Sequence, residues 1–258
     1  MSKNVLDSRD YNDKNSVLYR GALKNNVLSD DKETDTSPTR GVDVSGIDRT
    51  SLEIIKSDLS AITGLSIVDE FGILTYLKRD GEPIIAGGTV SATARNDLIK
   101  VLNVQNQIIK VSIDSTKPSE TKSDGKTITL NPNKINSRVS GAVNVDKRTS
   151  GWGMTLLHEF LHTMAGGGLD DIPNNAEEGN PGPVETLVNT YRAELNAQGG
   201  NWGQRLTYDP LPKKTYNGYT YPNIMPFSKD ANNETLMLFN GFRGSYSRSS
   251  NFQYIIVR

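Results

Sequence analysis

The chain has 258 residues, a formal net charge of −1, 35% hydrophobic residues and no cysteine. The balanced charge offers no basic field to attract nucleic acid or an anionic membrane. No apolar run is long enough to span a bilayer, and without cysteine there are no disulfides, thiolate metal sites or cysteine nucleophile. The length suffices for a real core, while the mean hydropathy of −0.51 implies long polar loops or a disordered segment. The N-terminus, Met1-Ser2-Lys3-Asn4-Val5-Leu6-Asp7, lacks the apolar stretch of a signal peptide. The chain is therefore expected either to stay in the cytosol or to be exported by a route that reads no such signal.

Residues 1–40 are rich in Asp, Asn, Lys and Ser without sustained periodicity, and read as a disordered or linker leader ahead of a domain spanning 41–258. From Asp48 to Thr63, Leu52, Ile55, Leu59 and Ile62 recur at helical spacing, predicting an amphipathic helix that stops at Gly64. Ser66 to Tyr76 is strand-like but interrupted by Gly72, as in a hairpin or a bulged strand. Thr89 to Val104 reads as helix again. Gln107 to Ile113 and Lys126 to Leu130 alternate like half-buried strands, and Asn131-Pro132-Asn133 stops the second. A helix is expected from near Gly151 to Gly166-Gly167-Gly168, and another from Pro183 to about Asn196 with Val184, Leu187, Val188, Tyr191 and Leu195 as its apolar stripe. The remainder is loop-rich and aromatic, ending in a terminal strand over Asn251–Val257.

The only two histidines stand four residues apart in His158-Glu159-Phe160-Leu161-His162. On a helix they lie about 40° apart, so one face offers two imidazoles to a metal while the glutamate between them serves as base. Apolar residues surround them on nearly every side of this helix, as expected of a helix buried in a core. Histidines in such a setting need partners, and a metal would satisfy them. A catalytic zinc keeps three protein ligands and one water, so a third ligand must come from nearby. One candidate is Asp171 (or Asp170), brought back by the glycine triplet. The other is Glu185, which forms a polar stripe with Asn189 and Arg192 on the following helix and is favoured because a metal would explain that stripe. Asn189 and Arg192 would then fix its carboxylate as outer partners. Arg192, Arg205 and Tyr208 are candidate donors to the oxyanion of peptide hydrolysis.

His158-Glu159-Phe160-Leu161-His162 on a buried helix resembles the zincin superfamily of metallopeptidases. The continuation through Gly166-Gly167-Gly168-Leu169-Asp170-Asp171, with Val188-Asn189-Thr190-Tyr191-Arg192 and Gly203-Gln204-Arg205-Leu206-Thr207-Tyr208, resembles the metallopeptidase domains at the C-terminal ends of bacterial Rhs-type polymorphic toxins. This resemblance covers roughly residues 126–210. It implies an α+β, zincin-like fold: a small twisted sheet, an active-site helix and a helical, loop-rich C-terminal part. It also implies Zn²⁺ as cofactor, zinc-dependent cleavage of a protein or peptide substrate, and a secreted or injected effector that meets a delivery apparatus or an immunity protein. The position of Glu185 is similar to that of the third ligand of thermolysin-like zincins, although their N-E-x-x-S-D string is missing here. Ala165 and Gly168 stand where metzincins need a glycine and a ligand, so Met225 reads as core rather than as a Met-turn. The alternatives are a zincin-like module that binds metal or protein without turnover, and a structural zinc site; the latter is disfavoured because such sites close with four ligands, often cysteines.

Overall fold

The computed structural model describes residues 40–142, 145–171 and 181–205, and beyond them strand segments at 214–216, 219–221, 227–228, 245–248 and 254–257. The expected leader, Tyr208 and Met225 therefore lie outside the described residues, apart from Arg40. Strand β1 (Gly41–Gly46) leads into helix α1 (Arg49–Thr63), whose buried residues are Leu52, Ile55, Leu59, Ile62 and Thr63. The four aliphatic ones are the stripe read from the sequence, and each contributes roughly 2 kcal/mol by leaving water. Asp48 caps the helix by accepting from the Ser51 N–H, and Gly64, at φ 76°, ends it in the left-handed conformation that suits glycine.

The expected hairpin follows as β2 (Ile67–Glu70) and β3 (Ile73–Tyr76), turned at Phe71 and Gly72, both with positive φ. A short pair, β4 (Lys78–Arg79) and β5 (Glu82–Pro83), leads to α2 (Ala92–Leu102), which is capped by Ser91. Then come β6 (Ile108–Ile113), β7 (Glu120–Thr121) and β8 (Thr127–Leu130). The sheet has six strands in the order β2-β3-β1-β6-β8-β7. Its middle, β1-β6-β8, is parallel, and both flanks are antiparallel. The fold is α+β.

Asn131 does more than stop β8. Its side chain accepts from the Lys134 N–H and, with Pro132 in the first turn, starts helix α3 (Pro132–Gly141), which sequence reasoning had left as a break. A 3₁₀ turn at Lys147–Ser150 precedes α4 (Trp152–His162), and α5 (Gly182–Ala197) follows. β9 (Gln204–Arg205) pairs with β12 (Phe227–Ser228). Between these two lies the hairpin of β10 (Lys214–Tyr216) and β11 (Tyr219–Tyr221), and β13 (Ser245–Arg248) pairs with β14 (Tyr254–Val257).

One core joins Val42, Val44, Ile109, Val111, Ile128 and Leu130 of the sheet to the buried faces of α1, α2, α4 and α5. Helix α4 packs on α1, α2 and α5 and against the β7–β8 edge of the sheet. Its own N-cap, Gly151, has no side chain to offer, and the cap comes instead from α1: Asp58 Oδ2 accepts from the Gly153 N–H at 3.1 Å. Among the described residues no helix is long and apolar enough to cross a membrane.

Candidate active site

Helix α4 buries Met154, Leu156, Leu157, Phe160 and Leu161, which fixes its rotation and turns His158 and His162 toward a cleft of about 1070 Å³. The helix was expected to run to the glycine triplet. It ends at His162, where Thr163 turns extended and its hydroxyl bonds back to the Phe160 carbonyl at 2.6 Å.

The glycines then reverse the chain. The N–H groups of Gly166, Gly167 and Gly168 donate to the Thr163 carbonyl, and the Leu169 N–H donates to the Leu161 carbonyl. At Gly166 a Cβ would lie 1.9 Å from the Phe160 oxygen, so only glycine allows this close return.

The return places two groups on the histidines. The Leu169 carbonyl lies 2.6 Å from His162 Nδ1. A carbonyl can only accept, so Nδ1 carries a proton, and in the neutral ring Nε2 keeps its lone pair. Asp171 reaches both rings, with Oδ1 3.2 Å from His158 Nε2 and Oδ2 3.3 Å from His162 Nε2. The two Nε2 atoms are 3.4 Å apart. Donor atoms on a tetrahedral zinc, at about 2.0–2.1 Å from the ion, stand about 3.3 Å from one another. His158, His162 and Asp171 thus present two nitrogens and a carboxylate in the arrangement such a cation takes, and they are the group of ligand-type side chains that converges here.

Glu185, expected as the preferred third ligand, stands on the other side of His158, apart from the group formed by His158, His162 and Asp171. Its Oε1 lies 3.2 Å from Nδ1 of His158, the ring nitrogen facing away from Asp171, and off the line of a well-formed hydrogen bond. The same carboxylate accepts from Arg192 Nη1 at 2.7 Å and from Arg205 Nη1 at 2.9 Å. Asn189, expected to fix the Glu185 carboxylate, bonds the two arginines instead, accepting from Arg192 Nη1 and from the Arg205 N–H and donating to the Arg205 carbonyl. Arg192 also donates to the Thr149 carbonyl and stacks over Phe227. Asp170, the other carboxylate of the return segment, is exposed at the rim of the cleft.

The electrostatics follow from these contacts. Burial opposes charge on Glu185, but Arg192 and Arg205 outweigh it and hold the carboxyl well below its usual range. Burial likewise opposes charge on His158, yet Asp171 and Glu185 together push its pKa up to about 9. Asp171 goes the other way: desolvation is overcome by the two histidines, and its pKa is lowered. Glu159 is nearly buried, and desolvation raises its pKa, partly offset by His158 and by Thr121. Thr121 Oγ1 lies 2.9 Å from Glu159 Oε2 and 2.8 Å from its backbone oxygen, so edge strand β7 steadies this glutamate.

Sequence reasoning had missed Thr121, the Leu169 carbonyl, Arg138 and Phe227, all at or around the cleft. Comparison with protein-family models, with curated proteins and with solved structures found no match for this chain.

Proposed function

We propose that this chain is a zinc-dependent metallopeptidase with a zincin-like active-site helix. The observation that carries the reading is the convergence of two Nε2 atoms and the Asp171 carboxylate at 3.2–3.4 Å, beside a buried glutamate. Imidazole nitrogens with one carboxylate suit zinc, and three protein donors leave room for water or substrate. His158, His162 and Asp171 would hold the ion. Glu185 stands behind His158, 3.2 Å from Nδ1, where its negative charge favours a proton on that nitrogen and leaves Nε2 for the ion. Zinc, when bound, polarises a carbonyl oxygen and lowers the pKa of water to about 7.

The chain's own residues account for the proton. Glu159 Oε takes it from the attacking water and returns it to the nitrogen of the leaving amine. Its raised pKa favours this work, because a carboxylate of ordinary acidity holds a proton too weakly to take it from water near neutral pH. Thr121 keeps the carboxylate aimed. A module that only binds metal or protein would leave a buried, oriented Glu159 without a task. By the resemblance noted for residues 126–210, the peptidase would act as an effector or toxin domain, with a delivery apparatus and an immunity protein as partners.

Glu159→Gln tests the reading. Zinc content and melting temperature should stay near those of the parent while peptide cleavage falls by about 10²–10⁴-fold, the usual contribution of general base catalysis. Cleavage of a peptide library at the parental rate by the Gln variant would overturn it.

A further inference from the structure

Most charged groups in the cleft are already committed. Asp171 and Glu185 face His158, Glu159 is held by Thr121, and Arg192 and Arg205 both hold Glu185. Arg138 is different. It comes from the last turn of α3, is half-buried and lines the same cleft, yet no hydrogen bond or ion pair ties it to another of the described residues.

Burial lowers its pKa, Arg205 and Arg192 press in the same direction, and Glu185 and Glu159 act on it only as background charges. A guanidinium kept partly out of water without a partner is costly, and an arriving anion relieves that cost.

We propose that Arg138 determines specificity by binding a carboxylate of the peptide substrate, on a Glu or Asp side chain or at the peptide's C-terminus. The planar fork of a guanidinium matches a carboxylate with two parallel hydrogen bonds. A doubly charged phosphate fits less well, because Glu159, Asp171 and Glu185 share the cleft and repel a dianion more than a monoanion. The proposal rests on the metallopeptidase reading, since it needs a peptide held in this cleft.

The test is a binding measurement on the zinc-loaded chain. The probes are short peptide hydroxamates, which chelate zinc, differing only in Glu against Gln at successive positions and in a free or amidated C-terminus. At one position the carboxylate form should bind at least about tenfold tighter, as expected of a charge-assisted pair out of bulk water. A side-chain source shows in the Glu series, a C-terminal source in the amidation series. Arg138→Gln should bring that ratio close to one, Arg138→Lys should keep part of it, and Arg138→Glu should turn the preference toward Lys.

Binding of the panel without discrimination by the parent chain would overturn the proposal and leave the peptidase reading standing. So would an Arg138→Gln variant that only melts lower, the mark of a residue serving the C-terminal dipole of α3, or one that slows cleavage of every peptide equally, the mark of an oxyanion donor. Failure of the chain to retain zinc or bind any hydroxamate would overturn the peptidase reading, and this proposal with it.

Discussion

His158 meets a carboxylate at each ring nitrogen: Asp171 at Nε2, on the side of His162, and Glu185 at Nδ1, on the side of the arginines. That division predicts two different phenotypes. Asp171→Ala removes a donor and should weaken zinc binding by well over the about 10- to 100-fold typical of losing an outer partner. Glu185→Gln should cost zinc affinity no more than that range, but it leaves Arg192 and Arg205 without their buried counter-charge. Stability should therefore fall by about 3–5 kcal/mol. Competition with a chromogenic chelator and a denaturant titration separate the two, and the opposite pattern would restore Glu185 as the third ligand. The His-Glu-His triplet was legible in the sequence because helical periodicity alone puts both rings on one face. The approach of Asp171 to both rings was not, because it depends on the path of residues 163–171. In sequence, three glycines imply only a loop whose ordering costs entropy. In the fold they are a close-packed return, and the bonds of their N–H groups to the Thr163 carbonyl offset that entropy.

Elements with strong local patterns were read correctly. Helix α1 carries its stripe, cap and stop within its own sequence, and the β2–β3 hairpin announces its turn with Gly72. Strand β1 was missed although it is central, because Gly41-Val42-Asp43-Val44-Ser45-Gly46 looks like a loop until β3 and β6 pair with it from far along the chain. Helix α3 was missed because it buries little besides Ile135 and relies on the Asn131 cap and on Trp152, whose Nε1–H donates to Asn136. A further feature hidden from the sequence is how tightly α4 lies on α1. A Cβ at Gly153 would be 2.6 Å from Asp58 Cβ and 2.9 Å from the Leu59 nitrogen. Gly153→Ala must push the active-site helix off its support, and overpacking of this kind costs about 1–3 kcal/mol. In a domain of this size that lowers Tm by roughly 2–12 °C. Gly87→Ala is the control, since nothing lies within 4 Å of its added Cβ. Equal melting of the two variants would show that α1 and α4 do not meet as described.

At the scale of the molecule, the site sits beside the core rather than inside it. The apolar side chains of the sheet, α1, α4 and α5 close on one another, while the candidate ligands keep side-chain exposures of 13–23% at the cleft. All three candidate ligands come from residues 158–171, so an ion bound there would close only a short stretch of chain and remove little entropy from the unfolded state. This differs from a zinc finger, where the metal replaces a core and its removal unfolds the domain. Chelation should therefore leave the helix and sheet signals of circular dichroism intact while abolishing peptide cleavage, and added zinc should restore activity. Stability should respond by mass action alone, gaining about 2.7 kcal/mol when free zinc reaches a hundred times Kd. Tm should thus climb with zinc concentration in a graded way. A chain that unfolds on chelation would place the metal in the core energetics, contrary to this architecture. A Tm indifferent to zinc would mean that the two histidines and Asp171 hold no ion.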